Sequence, residues 1–304
     1  MKIAIMATGG VGGYFGARLA AAGHDVSFIA RGAHLDAIRL DGLHVSSACG
    51  DIHLPSAAAS AEAAEIGAVD IVIFAVKLGD METAAHACRP LLGEETAVVP
   101  FLNGVDAPAT LARVLGPAHA CGGVAYISAQ IDAPGRIRHI GEFARLVFGE
   151  MDGSVSPRLQ ALQQACTDSG IEAILSTEIE IALWEKFTVL VALSGTTTAA
   201  RSPIGVIRDE AIGRDVFEAA MREVIAVGKA TGIALADDLI DRQFNFFKGL
   251  PNEMKASMLV DLEAGKPLEA PWLSGAVARM GREVGVPTPV NDTLFAVVQP
   301  YIQG

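Results

Sequence analysis

The chain has 304 residues, of which 51% are hydrophobic and 19% charged, and its formal net charge is −12. A single hydrophobic core stops growing at about 250–300 residues, so this length favours two domains over one. The composition excludes a disordered or disulfide-rich protein. The negative charge, with no Lys/Arg cluster to reverse it locally, argues against a nucleic-acid partner.

The cysteines and apolar runs indicate a soluble, cytoplasmic protein. The four cysteines are scattered without a C-x-x-C pair, as expected of reduced thiols. Glycines and Arg18 interrupt the apolar N-terminal run, which argues against a signal peptide. In the second half, the longest apolar stretch, 187–193, is far shorter than the roughly 20 residues of a membrane span. We therefore expect neither a membrane partner nor a metal site.

The first half alternates apolar strands with helices. A helix predicted over residues 11–22 ends at Gly23 and lies between two strands, which makes a β-α-β unit. The Ala-rich segment 57–64 is predicted to be surface loop or helix. Buried parallel strands are predicted over residues 2–7, 25–30, 69–76 and 96–101. Further strands that close the same sheet are predicted over residues 121–127, 136–140 and 146–149, followed by a helix over 156–169 and a strand over 172–175.

Helical periodicity replaces the strand pattern after residue 176. Long helices are predicted over residues 178–199, 209–231, 254–264 and 272–284. The change in period predicts a domain boundary near residue 176. The expected fold is thus an α/β domain over residues 1–176, built on a parallel sheet with helices, and an all-α domain over residues 177–304.

A glycine-rich turn joins the first strand to the first helix. Its backbone N–H groups and the helix N-terminus are suited to a dinucleotide pyrophosphate. Ala7 replaces the first glycine of the usual motif, and the turn survives this change if the φ angle of Ala7 is ordinary. The alternative is a glycine-rich turn that binds nothing. The predicted cofactor contacts here are Ala7, Thr8, Gly9, Gly10, Val11 and Gly12, with Gly9 and Gly12 keeping the close phosphate approach and the helix–strand packing.

Residues at the ends of three strands predict which nicotinamide cofactor is bound. Arg31 ends the second strand, where an NAD-binding site would place a carboxylate, and its guanidinium can pair with a 2′-phosphate. NADPH is therefore favoured over NADH. Lys77 could add a second cation, and Asn103 could bridge the nicotinamide ribose and the substrate. Each of the three could instead be an ordinary solvated residue.

Over essentially its whole length the chain resembles the ketopantoate reductase family. The resemblance lies in the order and spacing of its motifs: ATGGVGGYFGARL from Ala7, Ala30-Arg31-Gly32, Ala75-Val76-Lys77, Leu102-Asn103-Gly104-Val105, LWEKF around Lys186, and KASMLVD around Ser257 followed by Glu269. It implies a Rossmann-like first domain and a helical second domain, which together deliver hydride from NADPH to the ketone of a 2-oxo acid. The reaction implied first is reduction of 2-dehydropantoate to pantoate, in pantothenate biosynthesis.

The resemblance also assigns roles to individual residues. Lys186 matches the family's general acid, and Glu269 its second key ionisable residue, which also contacts the cofactor. Apolar neighbours of Lys186 would lower its pKa, and Glu269 would raise it. Without the family, Lys186 would be a solvated helix lysine. The implied substrate contacts are Asn103, Lys186, Leu190, Ser194, Ser257 and Asp261, although Ser257 and Asp261 could equally be helix-surface residues.

The sequence departs from the family where asparagines grip the substrate. The matching residues here are Leu190, Ser194 and Ile204, and a further asparagine is matched by Ser274. Loss of amide partners predicts a weakened grip on 2-dehydropantoate and favours a larger or more apolar 2-oxo acid. A replacement polar wall could come from Thr196, Thr197, Thr198, Arg201 and Ser202, with Arg201 as a candidate carboxylate clamp.

Two other functions remain open at this point. One is a 3-hydroxy acid or opine dehydrogenase, which Lys186 and Glu269 argue against. The other is an NADPH-binding regulator without turnover. A homodimer is possible, but the sequence shows no clear interface.

Overall fold

In a computed structural model, which describes all residues 1–304, the chain divides into two compact units. Unit 1 contains residues 1–102 and 106–179, and unit 2 contains residues 103–105 and 180–304. No helix is both long enough and apolar enough to cross a bilayer. The predicted fold class is confirmed, but the cofactor and catalytic roles assigned to residues 1–176 and 177–304 stay predictions.

Unit 1 contains a five-stranded parallel sheet with strand order β5-β2-β1-β6-β7. Its central strands are almost wholly buried on both faces, which explains their continuous apolar sequences. The chain order reverses between β1 and β6, so their carboxyl ends mark the edge where such sheets bind ligands. The elements of the first part of unit 1 are β1 Lys2–Met6, α1 Gly10–Ala21, β2 Asp25–Ile29, α2 Gly32–Asp41, β3 Leu43–Ser46, β4 Ile52–Leu54, β5 Ala58–Ser60, β6 Val69–Phe74, α3 Met81–Ala87, β7 Leu92–Pro100 and α4 Ala107–Leu115.

The Ala-rich segment contains a strand, so the expected loop or helix over 57–64 is wrong in part. β5 pairs with β2 and forms the edge of the parallel sheet. The backbone N–H of Ala30 also donates to the carbonyl of Ser60 over 3.0 Å. Pairing with a neighbouring strand has overridden the helix propensity of alanine here.

The later strands of unit 1 form a second sheet, so the prediction that they close the first one is wrong. These elements are β8 Cys121–Ala133, β9 Arg136–Glu150, α5 Pro157–Asp168 and β10 Glu172–Leu175. β9 pairs with β8 along one edge and with β3 and β10 along the other. The two strands predicted at 136–140 and 146–149 are one, because residues 140–143 bulge from the β8–β9 pairing without ending it.

Unit 2 is helical around two apolar clusters. Its elements are α6 Ile179–Ala200, α7 Ile204–Asp209, α8 Ala211–Ala230, α9 Leu239–Gly249, α10 Ser257–Glu263, α11 Ser274–Val284 and α12 Pro289–Val298. The helix predicted over 209–231 starts later than expected, because Glu210 is extended and separates α7 from α8. α10 is likewise shorter than predicted, since Ala256 is extended. α6 contributes side chains to both clusters, so almost its whole circumference is buried.

Candidate active site

In the glycine turn of unit 1, there is open space for a side chain at Gly9 but not at Gly10 or Gly12. A Cβ atom at Gly9 would have no heavy atom within 4 Å, apart from its chain neighbours. At Gly10, a Cβ would lie 2.1 Å from the carbonyl oxygen of Ala129, and at Gly12, 2.4 Å from that of Ala7. Gly10 and Gly12 are therefore required by packing, whereas Gly9 keeps the approach to the start of α1 clear. This shape fits a pyrophosphate at the helix N-terminus, where the first N–H groups have no helical partner.

Ala7 adopts a φ of +74°, which contradicts the expectation of an ordinary backbone angle. A left-handed conformation costs a non-glycine residue about 1–2 kcal/mol. The turn is held by Thr8, whose backbone N–H and hydroxyl both donate to the carbonyl of Ile29 over 2.9 Å. These bonds tie the turn to the end of β2.

Two basic residues follow strands of the parallel sheet. Arg31 is exposed and is the extended N-cap residue of α2, directly after β2. Lys77 is exposed and follows β6. Both therefore stand beyond carboxyl ends of parallel strands, on the same edge of the sheet as the glycine turn.

His34 is a polar residue near this turn that the sequence did not single out. Its Nδ1 accepts a hydrogen bond of 3.0 Å from the backbone N–H of Gly135, while its buried Nε2 has no hydrogen-bond partner. Burial lowers the pKa of His34, against a smaller opposing effect from the backbone of Thr8. Its position on the first turn of α2, three residues after Arg31, was the available signal, since helix side chains point towards the N-terminus.

Unit 2 brings an ammonium, an amide and a carboxylate together. The Nζ of Lys186, on α6, donates to the Oδ1 of Asn103 over 3.3 Å. The Nδ2 of Asn103 in turn donates to the Oε2 of Glu269, also over 3.3 Å. The amide thus presents its oxygen to the cation and its nitrogen to the anion, which is the favourable orientation. All three side chains are partly buried.

The apolar surroundings of Lys186 make its charged form less favourable than it would be in water. The neighbouring residues Trp184 and Phe187 are buried in the apolar cluster of α6. Burial lowers the pKa of Lys186 from 10.5 to about 8, while the charge of Glu269 acts in the opposite direction. The expected balance of two opposing effects is therefore present, and burial is the larger. A lysine with this pKa can exchange its proton near neutral pH.

The other predicted substrate contacts differ in exposure. Leu190 is partly buried, Ser194 is fully buried, and Ser257 is exposed at the start of α10 with Asp261 partly buried one turn later. Ile204 is fully buried in an apolar cluster with Phe217. Three buried hydroxyl groups on α6 and α11 have no hydrogen-bond partner, those of Ser194, Thr198 and Ser274.

Several of the residues predicted to form a replacement polar wall make other contacts instead. The hydroxyls of Thr196 and Thr197 donate to carbonyls of their own helix, those of Ala192 and Leu193. Arg201 is exposed and places its guanidinium over the ring of Tyr301, 4.8 Å from the centroid. The hydroxyl of Ser202 donates to the carbonyl of Ala200. In this structure Arg201 therefore stacks on an aromatic ring on the surface.

Comparison with known proteins places these features in one family. The family model described as Ketopantoate reductase PanE/ApbA matches residues 3–153, and the model of that family's C-terminal domain matches residues 178–302. The 2-dehydropantoate 2-reductase of Mesorhizobium japonicum is 35% identical, over 98% of this chain and 97% of its own. An uncharacterised oxidoreductase of Bacillus subtilis, YkpB, is 31% identical over 99% of both chains.

Solved structures agree with the sequence comparison. The crystal structure of a 2-dehydropantoate 2-reductase from Geobacter metallireducens superposes with a TM-score of 0.92, at 29% identity over 99% of both chains. A family ketopantoate reductase from Ralstonia eutropha gives 0.91 at 30% identity, over 99% of this chain and 98% of its own. The chain therefore belongs to the ketopantoate reductase family of oxidoreductases.

Proposed function

We propose that this protein reduces a 2-oxo acid to the 2-hydroxy acid with NADPH, and that its substrate is 2-dehydropantoate. The observation that carries the proposal is the contact of Lys186 with Asn103 and of Asn103 with Glu269 in unit 2. The Mesorhizobium relative, named as a 2-dehydropantoate 2-reductase, supports the choice of substrate.

The role of unit 1 in this proposal is to hold the dinucleotide. The N–H groups at the start of α1 would face the pyrophosphate, with Gly9 leaving room for it. Arg31 would pair with the 2′-phosphate, with Lys77 as a second cation. When bound, NADPH supplies the hydride that adds to the ketone carbon.

The role of unit 2 is to supply the proton. Negative charge develops on the ketone oxygen during the reduction, and the Lys186 ammonium would stabilise it and then donate a proton from Nζ. The amide of Asn103 holds the ammonium, and Glu269 orients that amide through its Nδ2. The neutral amine left behind regains its proton from solvent, so the site returns to its starting state.

A more apolar 2-oxo acid is the second candidate substrate. Two of the family's asparagine positions are apolar here, and Ile204 is fully enclosed by other apolar side chains. Fewer amide groups are therefore available to bind a polar substrate. Against this, the unpartnered hydroxyls of Ser194 and Ser274 remain as shorter hydrogen-bonding groups.

Oxidation of NADPH by the purified protein, measured with 2-dehydropantoate and with 2-oxo acids bearing larger apolar groups, tests the proposal. We expect 2-dehydropantoate to give the highest kcat/KM. If only a bulkier acid is reduced, the second candidate is correct. Tight binding of NADPH without turnover of any acid would instead indicate a regulator.

Arg31 should determine the preference for NADPH. Replacing it with alanine removes a charge-assisted hydrogen bond, worth about 1.5–3 kcal/mol, from the 2′-phosphate. The KM for NADPH should therefore rise by about 10- to 150-fold, with little change for NADH. Arg39→Ala, which removes another exposed arginine of α2, is the matched control. Equal losses with both cofactors would place Arg31 away from the 2′-phosphate.

A further inference from the structure

A histidine pair faces the end of α2 in unit 1. His44 and His53 are directly opposite each other in the antiparallel pairing of β3 with β4. Their rings are stacked, with centroids 3.9 Å apart and planes inclined by 12°. Asp41, the last residue of α2, lies against both rings. We call these three residues the Asp41 cluster.

The ring nitrogens of the Asp41 cluster converge on one aspartate. The Nε2 of His44 is 3.1 Å from Asp41 Oδ2, and the Nε2 of His53 is 2.9 Å from the Asp41 carbonyl oxygen. One ring nitrogen of each histidine and a carboxylate oxygen of Asp41 all lie within 4.8 Å of one another. In a tetrahedral zinc site with bonds of about 2.0–2.1 Å, neighbouring ligand atoms are about 3.3 Å apart. The Asp41–His44 pair is already near that spacing, whereas the exposed ring of His53 would have to turn out of its stack with His44 to direct its lone pair at the same ion.

We propose that the Asp41 cluster binds a divalent transition-metal ion of the Zn²⁺ type. Two imidazole nitrogens and one carboxylate oxygen are the donor set that such ions prefer, whereas Mg²⁺ and Ca²⁺ favour oxygen ligands alone. Water would complete the coordination shell. Asp41 and His53 are exposed, so the ion can enter from solvent.

A neighbouring arginine would compete with a metal ion for the carboxylate of Asp41. Arg136 Nη2 lies 3.6 Å from Asp41 Oδ2, the carboxylate oxygen nearest His44. Its positive charge would oppose a metal ion on the same carboxylate. Removing this charge should strengthen metal binding, an effect that damage to the fold would not produce.

Binding would connect parts of unit 1 that are separate in sequence. The ion would join the end of α2 to both strands of the β3–β4 pair. No metal site was expected from the sequence, because only the pairing of β3 with β4 brings His53 to Asp41. An ion that binds the folded chain but not the unfolded chain also raises the melting temperature of the protein, and this rise grows with the concentration of the ion.

The test is calorimetric titration of the full, chelator-treated chain with zinc chloride, together with its melting temperature. We expect one ion per chain. His44→Asn and His53→Asn should each weaken zinc binding at least tenfold. Removing a group that only supports a metal ligand typically costs that much, and loss of a ligand itself should cost no less. Arg136→Gln should strengthen it by about 1.5- to 5-fold, the worth of one exposed charge pair. His86→Asn, at an exposed histidine outside the cluster, should change nothing.

Three results would overturn the proposal. The first is an absence of saturable zinc binding, in which case the histidines only donate hydrogen bonds to the carbonyl of Asp41. The second is binding that is unchanged in both histidine variants. The third is binding lost on Cys49→Ser, which would place the ion at that exposed thiol.

Discussion

Replacing Lys186 with methionine should lower kcat for the reduction by about 10²- to 10⁴-fold, the contribution of one positioned proton donor. Methionine keeps much of the side-chain length but has no proton to give. Binding of NADPH should persist, because the glycine turn and Arg31 are unchanged. Steady-state kinetics and a fluorescence titration with NADPH measure the two effects separately. Lys229→Met, at an exposed lysine of the same unit, is the matched control and should keep full activity.

The pH dependence of the wild type gives an independent measure of the same residue. Because burial lowers the pKa of Lys186 to about 8, the protonated donor is lost as pH rises through that value. The kcat/KM for reduction should therefore fall above about pH 8, and that for oxidation of the hydroxy acid should rise. A reduction rate that stays level up to pH 10.5, the ordinary pKa of lysine, would show that Lys186 is not the proton donor.

Replacing Gly10 with alanine should destabilise the fold, whereas replacing Gly9 with alanine should weaken only the binding of NADPH. A methyl group at Gly10 would meet the backbone of Ala129 at 2.1 Å, and backbone cannot rotate away as a side chain can. Gly10→Ala should therefore cost about 1–3 kcal/mol of unfolding free energy or more, as overpacking does. Gly9 has an ordinary φ of −80° and open space, so Gly9→Ala should fold normally. It should nevertheless bind NADPH about tenfold more weakly, a change of about 1.4 kcal/mol, because its methyl group would enter the space proposed for the pyrophosphate.

Melting temperature and NADPH affinity, measured on both variants, distinguish these effects. Gly23→Ala is not a suitable control, since Gly23 has a φ of +91° and would be strained for a separate reason. Gly249→Ala is suitable, because that glycine is exposed, has no positive φ and has open space around it. Unaltered NADPH binding by a stable Gly9→Ala protein would place the pyrophosphate elsewhere.

The local patterns predicted most of the parallel sheet. Buried strands such as β1 and β6 have continuous apolar sequences, and Gly23, with its positive φ, follows α1 where a helix stop was expected. Local patterns could not show which distant segments of the chain pair with each other. The edge strand β5 exists because it pairs with β2, and the second sheet exists because β9 pairs along both its edges.

The candidate site was predictable only in part for the same reason. A glycine turn after a strand indicates a dinucleotide site from sequence alone, yet neither the positive φ of Ala7 nor the bonds that Thr8 makes to Ile29 could be read from that pattern. Apart from the family resemblance, the sequence around Lys186 is that of an ordinary solvated helix lysine. Its reduced pKa depends on burial in the cluster around α6, which is a property of the folded unit.

The assignment of residues 103–105 to unit 2 has a consequence for protein engineering. Asn103 contacts Lys186 and Glu269, but it is encoded within the half of the gene that otherwise specifies unit 1. A chimaera of two relatives joined once near residue 176 would combine the amide of one parent with the ammonium and carboxylate of the other. If all three residues are to come from one parent, a short second segment around Asn103 must be exchanged as well.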